Sequence, residues 1–526
     1  MSMIKFKNLF EVSFADLPDK LGRIYKNREA IVDLVHNYEK IYTYEDISLY
    51  TKKFHHFLSN YLSYQEDIVY INKNTIEHIF LYFACLRGGF RYVPLNPRLR
   101  NNEIINMLSQ LKKIKVLIYG DEFKGDVNSL KKELNISYIF HIDEVNGLIK
   151  KNVQDVAPYY DGSIEQDWII LFTSGTTGIP KAARLPIRMV MANIIQTVIF
   201  WNLQKNHSSV IHTPFFHAGG LNVFTTPLLF VGGKLYLLDF FNPEKVLNLI
   251  NEKKITHLFA VPTMFQSMIN SAMWDKTDFS SLNFVISGGA PCPEKIIDEF
   301  QKKGITLRQG FGMTEVGVNC FFIDENDVKR KKGSVGIPMP FLEVNITELN
   351  TKNIIEGEGE GVMWFKGLVL FNGYQNVSNE EIFDNFLGFC SGDIAYRDNE
   401  GFYWIRGRIK DMIIRGGENI YPSEIEKEVY ENSKIDECSV FGIEDNYWGE
   451  IPVLALKFKN EVIEEHYEYE VDNIIKQLKE KLASYKIPHL VIILDSLPKN
   501  ATGKISKKDL VNLYNNNKLL KVIKIK

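Results

Sequence analysis

Apolar and polar positions alternate along the first two-thirds of the chain in blocks of two kinds. Short apolar runs such as Ile68-Val69-Tyr70-Ile71 and Trp168-Ile169-Ile170-Leu171-Phe172 have strand length. Longer mixed stretches have helical length. One runs from Glu77 to Leu86 and stops at Gly88-Gly89; another runs from about Pro293 to Lys302. Tyr92-Val93-Pro94-Leu95-Asn96-Pro97 resumes a strand after the first helix, and Ile305-Thr306-Leu307 resumes one after the second. Strand–loop–helix–strand units of this size predict parallel sheets covered by helices, with ligands at the carboxyl ends of the strands. The loops after Phe172 and Ile286 occupy such ends.

The pattern changes twice. From about Lys332 to Arg408, short strands with glycine turns, such as Gly361-Val362-Met363-Trp364-Phe365, predict an antiparallel or barrel-like piece. After Gly407-Arg408 a compact α+β pattern begins. It has strands near Glu437–Ile443 and Val453–Phe458, a helix from about Tyr469 to Leu482, and a strand at Leu490–Leu494. A domain boundary is expected near Lys410, giving domains 1–409 and 410–526. The alternating tail Lys518–Lys526 reads as a strand or a solvated loose end.

Composition narrows the class. The chain has 526 residues, 45% hydrophobic and 24% charged, with a formal net charge of −3. That is ordinary for a globular protein and gives no field to attract nucleic acid or anionic lipid. Cys85, Cys292, Cys320, Cys390 and Cys438 form no CxxC pair, so neither a disulfide framework nor a zinc site is implied. Together with the absence of an apolar leader at Met1–Lys7 and of any run long enough to span a bilayer, this predicts a cytoplasmic protein.

The chemistry concentrates in a few islands. Thr173-Ser174-Gly175-Thr176-Thr177-Gly178-Ile179-Pro180-Lys181 combines hydroxyls, glycines and a lysine directly after a strand. Backbone N–H groups and hydroxyls in such a loop can cradle a polyphosphate, and the same composition also suits a solvated turn. It is not a Walker loop, because Pro180 separates Gly178 from Lys181 and Ala182 follows the lysine. Gln309-Gly310-Phe311-Gly312-Met313-Thr314-Glu315 offers a ring for a purine, a hydroxyl for phosphate oxygens and a carboxylate for magnesium. Ser391-Gly392-Asp393 offers a carboxylate for ribose hydroxyls. Gly407-Arg408-Ile409-Lys410-Asp411 is a charged link, and Pro498-Lys499-Asn500-Ala501-Thr502-Gly503-Lys504 ends in a lysine after a glycine. Each island alone has an ordinary reading as a turn, a solvated face or a cap.

In this order and spacing the islands resemble the adenylate-forming superfamily of acyl-CoA synthetases, 4-coumarate–CoA ligase and luciferase, in its acid–CoA ligase branch. The resemblance runs from about Tyr42-Thr43-Tyr44 to the last helix, and Gly407–Glu426 (GRIKDMIIRGGENIYPSEIE) is among its most specific parts. It implies an α/β fold: a large N-terminal domain of two parallel α/β subdomains and a small β-barrel, then a small mobile α+β domain. It also implies a two-step reaction. An acid attacks the α-phosphate of ATP to give an acyl-adenylate and pyrophosphate, and the thiol of CoA then displaces AMP. Dividing the reaction supplies the good leaving group that a free carboxylate lacks.

By that resemblance Thr173, Ser174, Gly175, Thr176, Thr177, Gly178 and Lys181 hold the β- and γ-phosphates. Gly289, Ala290, Pro291 and Phe311 enclose adenine. Thr314 meets the α-phosphate, Glu315 helps hold Mg2+, and Asp393 and Arg408 bind ribose. Lys504 bridges the acid and the α-phosphate, a role suited to a long mobile point charge. Lys410 is the hinge about which the small domain turns, bringing Gly416 and Gly417 to line a pantetheine passage; the same pair also suits a tight turn. His217, in Pro214-Phe215-Phe216-His217-Ala218-Gly219-Gly220-Leu221, is either a gate beside the acid or a structural histidine. No Asp or Glu occurs between Pro214 and Phe230 to pair with an ammonium group, which favours an apolar acid: fatty, alicyclic or aromatic.

Departures from the family pattern are Phe311 where Tyr is common, Ser391 for Thr, Gly373-Tyr374-Gln375-Asn376 without a following proline, Lys507 for Arg, and Arg415 at a variable position. The resemblance also admits a homodimer, transfer to an acyl-carrier-protein phosphopantetheine in place of CoA, and a binding protein without turnover.

Overall fold

The computed structural model describes residues 13–35, 38–151, 160, 162–173, 180–499, 505–516 and 521–525. Two large sheets dominate the N-terminal part. One has six strands, with Asp67–Ile71 between Arg91–Leu95 and Ile114–Tyr119, all parallel. Its burial is complete along Asp67–Ile71, as expected for a parallel sheet covered on both faces. The helix Ile76–Gly88 follows and ends in left-handed Gly89. At the far edge Asp167–Thr173 is joined antiparallel to Lys181–Pro186. Thr173 and Lys181, which flank the predicted phosphate loop, are thereby cross-strand partners at the carboxyl end of Asp167–Thr173.

The second sheet has seven strands and is parallel from Leu307–Gln309 through Phe284–Ser287, His257–Ala260, Ser208–Ile211 and Lys234–Leu237 to Glu29–Asp33, with Lys40–Thr43 antiparallel at its edge. The strand expected at Ile305–Leu307 forms two residues later, at Leu307–Gln309. Ile305 instead plugs the core beside Phe300, because the turn through Gly304 carries it off the sheet line.

Next comes an antiparallel five-stranded sheet built on Gly359–Gly367 and Gly388–Arg397. It is a curled sheet where the small barrel was expected. The C-terminal sheet has six strands, with Ile435–Asp445 and Gly449–Phe458 as its long hairpin and the helix Tyr467–Lys481 against it. The tail completes it: Lys521–Lys524 pairs antiparallel with Leu490–Ile493. Of the two readings left open for the tail, the strand is the one observed. No described helix is long and apolar enough to cross a membrane. All five cysteines are free thiols.

Candidate active site

The carboxyl end of Asp167–Thr173, the loop after Leu307–Gln309 and the connection that follows Gly359–Gly367 in the curled sheet meet at one place. Glu315 is buried there at 4% exposure, too deep for an unpartnered charge. Its Oε1 accepts from the Tyr374 hydroxyl at 2.8 Å, and its carboxylate is hydrogen-bonded to the Thr173 side chain. Burial pushes the Glu315 carboxyl up from the usual range, against those two hydroxyls and the Arg408 charge that pull it down. The Lys181 ammonium lies 5.1 Å from the centre of the Tyr374 ring. Residues 173, 181, 315 and 374 thus share one cluster, although the Glu315–Tyr374 bond alone spans 59 positions.

Arg408 joins this cluster electrostatically and is held by Asp393. The two are cross-strand partners on Gly388–Arg397 and Tyr403–Arg408, with Arg408 Nε donating to Asp393 Oδ1 at 2.9 Å. Asp393 is buried, and its backbone N–H donates to the Ser391 hydroxyl. Burial would lower the Arg408 pKa, but the Asp393 carboxylate outweighs it and the guanidinium is held above its ordinary value. The Ser391 departure therefore keeps a hydroxyl at the turn.

Phe311 lies parallel to buried Phe365, with ring centres 6.2 Å apart, and edge-on to Phe321. Packing on these two rings fixes its plane. Gln309 ties the neighbouring loop to this strand: its Oε1 accepts from Cys292 N at 2.7 Å and its Nε2 donates to Ala290 O at 3.4 Å. Gly289, Ala290 and Pro291 are thereby held beside the Phe311 segment. Gly312 sits where any side chain would collide with the Val318 carbonyl, a methyl there lying only 2.1 Å from its oxygen.

Thr314 and Ala218 line one small cavity of about 10 Å³ with Leu185, Met189 and Asn193. The segment after His217 therefore borders the Thr314 segment. His217 occupies the capping position before the helix Ala218–Asn222, with its ring at 4.7 Å from that of Phe216.

Lys410 lies exposed in the turn Ile409–Asp411 between the large lobe and the C-terminal lobe. Gly416 and Gly417 form the two-residue tip joining Ile413–Arg415 to Glu418–Ile420, with φ of 60° and 92°. Two consecutive positive φ values are what a tight hairpin requires, so the turn reading of this pair holds here. Arg415 donates to Tyr485 O at 2.6 Å and stacks over Trp448 at 4.8 Å, which leaves it fixed on the C-terminal lobe. Ser174, Gly175, Thr176, Thr177, Gly178 and Lys504 lie outside the described residues.

Sequence reasoning missed the roles of Tyr374 and Gln309. Tyr374 stood inside a motif noted only for a missing proline. Gln309 preceded a glycine-aromatic island without a role of its own.

Residues 20–375 match the model of the AMP-binding enzyme family, and residues 424–504 match that of the AMP-binding enzyme C-terminal domain. The chain belongs to the AMP-binding enzyme family. Among its relatives, a feruloyl-CoA synthase of Amycolatopsis is 31% identical over 84% of this chain and 87% of its own length. An indoleacetate–CoA ligase of Aromatoleum aromaticum is 30% identical over 86% and 89%. The solved o-succinylbenzoate–CoA synthetase of Bacillus subtilis, in complex with its acyl-adenylate, superposes with a TM-score of 0.82 at 25% identity, covering 94% of this chain and 97% of that one. Membership places the chain among the adenylate-forming enzymes, in the acid–CoA ligase branch, as the sequence islands led one to expect.

Proposed function

We propose that this AMP-forming acid–CoA ligase activates an apolar carboxylate, fatty, alicyclic or aromatic, in the cleft bounded by Glu315, Arg408 and the segment after His217. The observation that carries this reading is the convergence of Thr173, Lys181, Glu315, Tyr374, Asp393 and Arg408, six residues from five separate segments, on one cluster. The relatives named for aromatic acids support an apolar substrate, as does the lack of any carboxylate between Pro214 and Phe230.

In this scheme Thr173 and Lys181 sit at the two ends of the phosphate loop and hold the β- and γ-phosphates with it. Phe311, fixed flat by Phe365, gives adenine a stacking face, and the Gly289-Ala290-Pro291 loop gives the opposite one. Asp393, aligned by Arg408, accepts from ribose hydroxyls. Thr314 contacts the α-phosphate next to the acid segment. The Glu315 carboxylate, with the Thr173 and Tyr374 hydroxyls around it, presents hard oxygen donors that fit Mg2+. When bound, that ion would neutralise charge on the phosphates. Tyr374 keeps Glu315 oriented through its 2.8 Å hydrogen bond. Lys504 supplies the mobile positive charge at the attacking carboxylate during adenylation. Rotation about Lys410 then exchanges it for the Gly416-Gly417 hairpin, so that 1–409 and 410–526 act as the fixed and moving parts. The free cysteines fit a reducing cytoplasm.

The test is acid-dependent pyrophosphate release from ATP, measured with and without CoA over a panel of carboxylates. Acyl-CoA formation is expected with at least one apolar acid. Adenylate accumulating without any acyl-CoA would shift the acceptor to a carrier protein.

A further inference from the structure

The helix Ile187–Phe200 follows the strand Lys181–Pro186 directly and is largely apolar and buried. Asn193, Gln196 and Thr197 interrupt it. Spaced i, i+3 and i+4, they lie on one face, and all three are buried. Amides and hydroxyls at that depth are costly unless hydrogen-bonded. The groups that meet them belong to two segments of the candidate site.

Asn193 bridges those segments with a single amide. Its Nδ2 donates to Asn222 O at 2.9 Å, and its Oδ1 accepts from Asn319 N at 3.3 Å. Asn222 ends the short helix Ala218–Asn222 that follows His217, where carbonyls lack a donor within the helix. Asn319, buried at 3% exposure, adds a second bridge. Its Nδ2 donates to Thr197 Oγ1 at 2.8 Å and lies 3.3 Å from Val223 O. Gln196 Nε2 donates to Asn319 O at 2.8 Å, and Thr197 Oγ1 donates to Asn193 O at 2.6 Å.

Asn319 also stands next to the bond that closes the loop of Thr314 and Glu315. Cys320 N donates to Phe311 O at 3.2 Å, and Met313 N donates to Gly317 O at 2.9 Å. A methyl at Gly317 would lie 3.5 Å from Asn193 Oδ1. The cavity of about 10 Å³ at this joint is lined by Asn193, Asn222, Ala218, Thr314 and Gly317. A void of that size holds about one water molecule, which leaves little slack between the two segments.

We propose that Asn193 and Asn319 are positioning residues that couple the acid segment to the Thr314–Glu315 loop, so that acid and nucleotide each tighten binding of the other. This deepens the ligase reading above and rests on it. Neither asparagine needs to touch a substrate. An acid that orders Ala218–Asn222 fixes Asn319 through the Asn193 amide, and with it the loop that meets the α-phosphate. Such coupling is reciprocal and depends on a continuous bridge.

The experiment compares the wild-type enzyme with Asn193→Ala, Asn319→Ala, the double variant and the milder Asn193→Ser. Straight-chain acids from acetate to hexadecanoate, and benzoate, are first ranked by pyrophosphate release from ATP. The best of them is then held at saturation while α,β-methylene-ATP, which cannot release pyrophosphate, is titrated by calorimetry with and without it. In the wild type the acid should tighten binding of this analogue at least about fivefold. In each variant the tightening should fall below about twofold, with kcat/KM for pyrophosphate release down about tenfold or more. The double variant should be no worse than the single ones, because each cuts the same chain of bonds. A protein that has only lost stability would bind the analogue at lower stoichiometry with the acid effect intact, and that result would overturn the proposal. So would the absence of any tightening in the wild type. If the alanine variants fail to fold, Asn193→Ser decides alone. Absence of pyrophosphate release with every acid in the wild type would overturn the ligase reading itself.

Discussion

The two lobes hold their functional groups in different ways. On the large lobe the buried Glu315 and Asp393 carboxylates and the Gly289-Ala290-Pro291 loop are each held by side-chain hydrogen bonds. Glu315 is held by Tyr374 and Thr173, Asp393 by Arg408 and Ser391, and the adenine loop by Gln309. The C-terminal lobe meets the large lobe through exposed polar contacts. Lys427 pairs with Glu294 at 2.7 Å with the lysine side chain 55% exposed, and the Ser423 hydroxyl donates to Arg406 O. A buried, multiply bonded group costs several kcal/mol to displace, whereas an exposed ion pair is worth about 0–1 kcal/mol. The difference teaches that, in the proposed scheme, the nucleotide contacts would be preorganised on one lobe while the weaker contacts of the other would let it turn.

The strongest way to break this comparison is at Glu315. Glu315→Gln keeps shape but removes the charge, and should lower acid-dependent pyrophosphate release by about a hundredfold to a thousandfold. A loss under about fivefold would remove Glu315 from the machinery. Lys504→Ala, on the moving lobe, should cut adenylation by about a hundredfold while thioester formation from preformed acyl-adenylate stays within about twofold. Equal loss of both half-reactions would argue against lobe exchange.

The large lobe should also be the acid-labile one. Burial lowers His78 and His257 to about 3, and His55 and His212 to about 4. Their folded values lie below the unfolded value of ~6.5, so the unfolded chain binds more protons. The stability they contribute is fully present above ~6.5 and is lost as pH falls towards the folded values. Each should cost roughly 2 kcal/mol by pH 5. Calorimetry from pH 7 to pH 5 should show the large-lobe transition moving down. A constant midpoint would mean that these rings find charged partners on protonation.

Asp393→Asn weakens only one oriented acceptor and should raise KM for ATP about tenfold with kcat within a few-fold. The smallest effect sharpens the comparison from the other side. Lys427→Ala should change the unfolding free energy from denaturant titration by no more than about 0.5 kcal/mol. A loss above 2 kcal/mol would show that the lobes are locked together in this arrangement.

Local chemistry was readable before any fold was known. Apolar runs of strand length announced Asp67–Ile71 and Asp167–Thr173, and Gly88-Gly89 announced the end of a helix. Such signals lie within a few positions of each other, because dihedral preference and side-chain period are local properties. The pairing of Asp393 with Arg408 was half legible: both were singled out, but their contact depends on strand register.

What the linear sequence determined, then, is the set of elements and the chemical kind of each loop. What only the tertiary structure decided is company: that Tyr374 hydrogen-bonds Glu315, that Gln309 ties down the Gly289-Ala290-Pro291 loop, and that Gly416-Gly417 is a hairpin tip. The physical reason is distance along the chain. A hydrogen bond or ring contact depends on ångströms in space, and only the packing of the sheets brings these remote positions together.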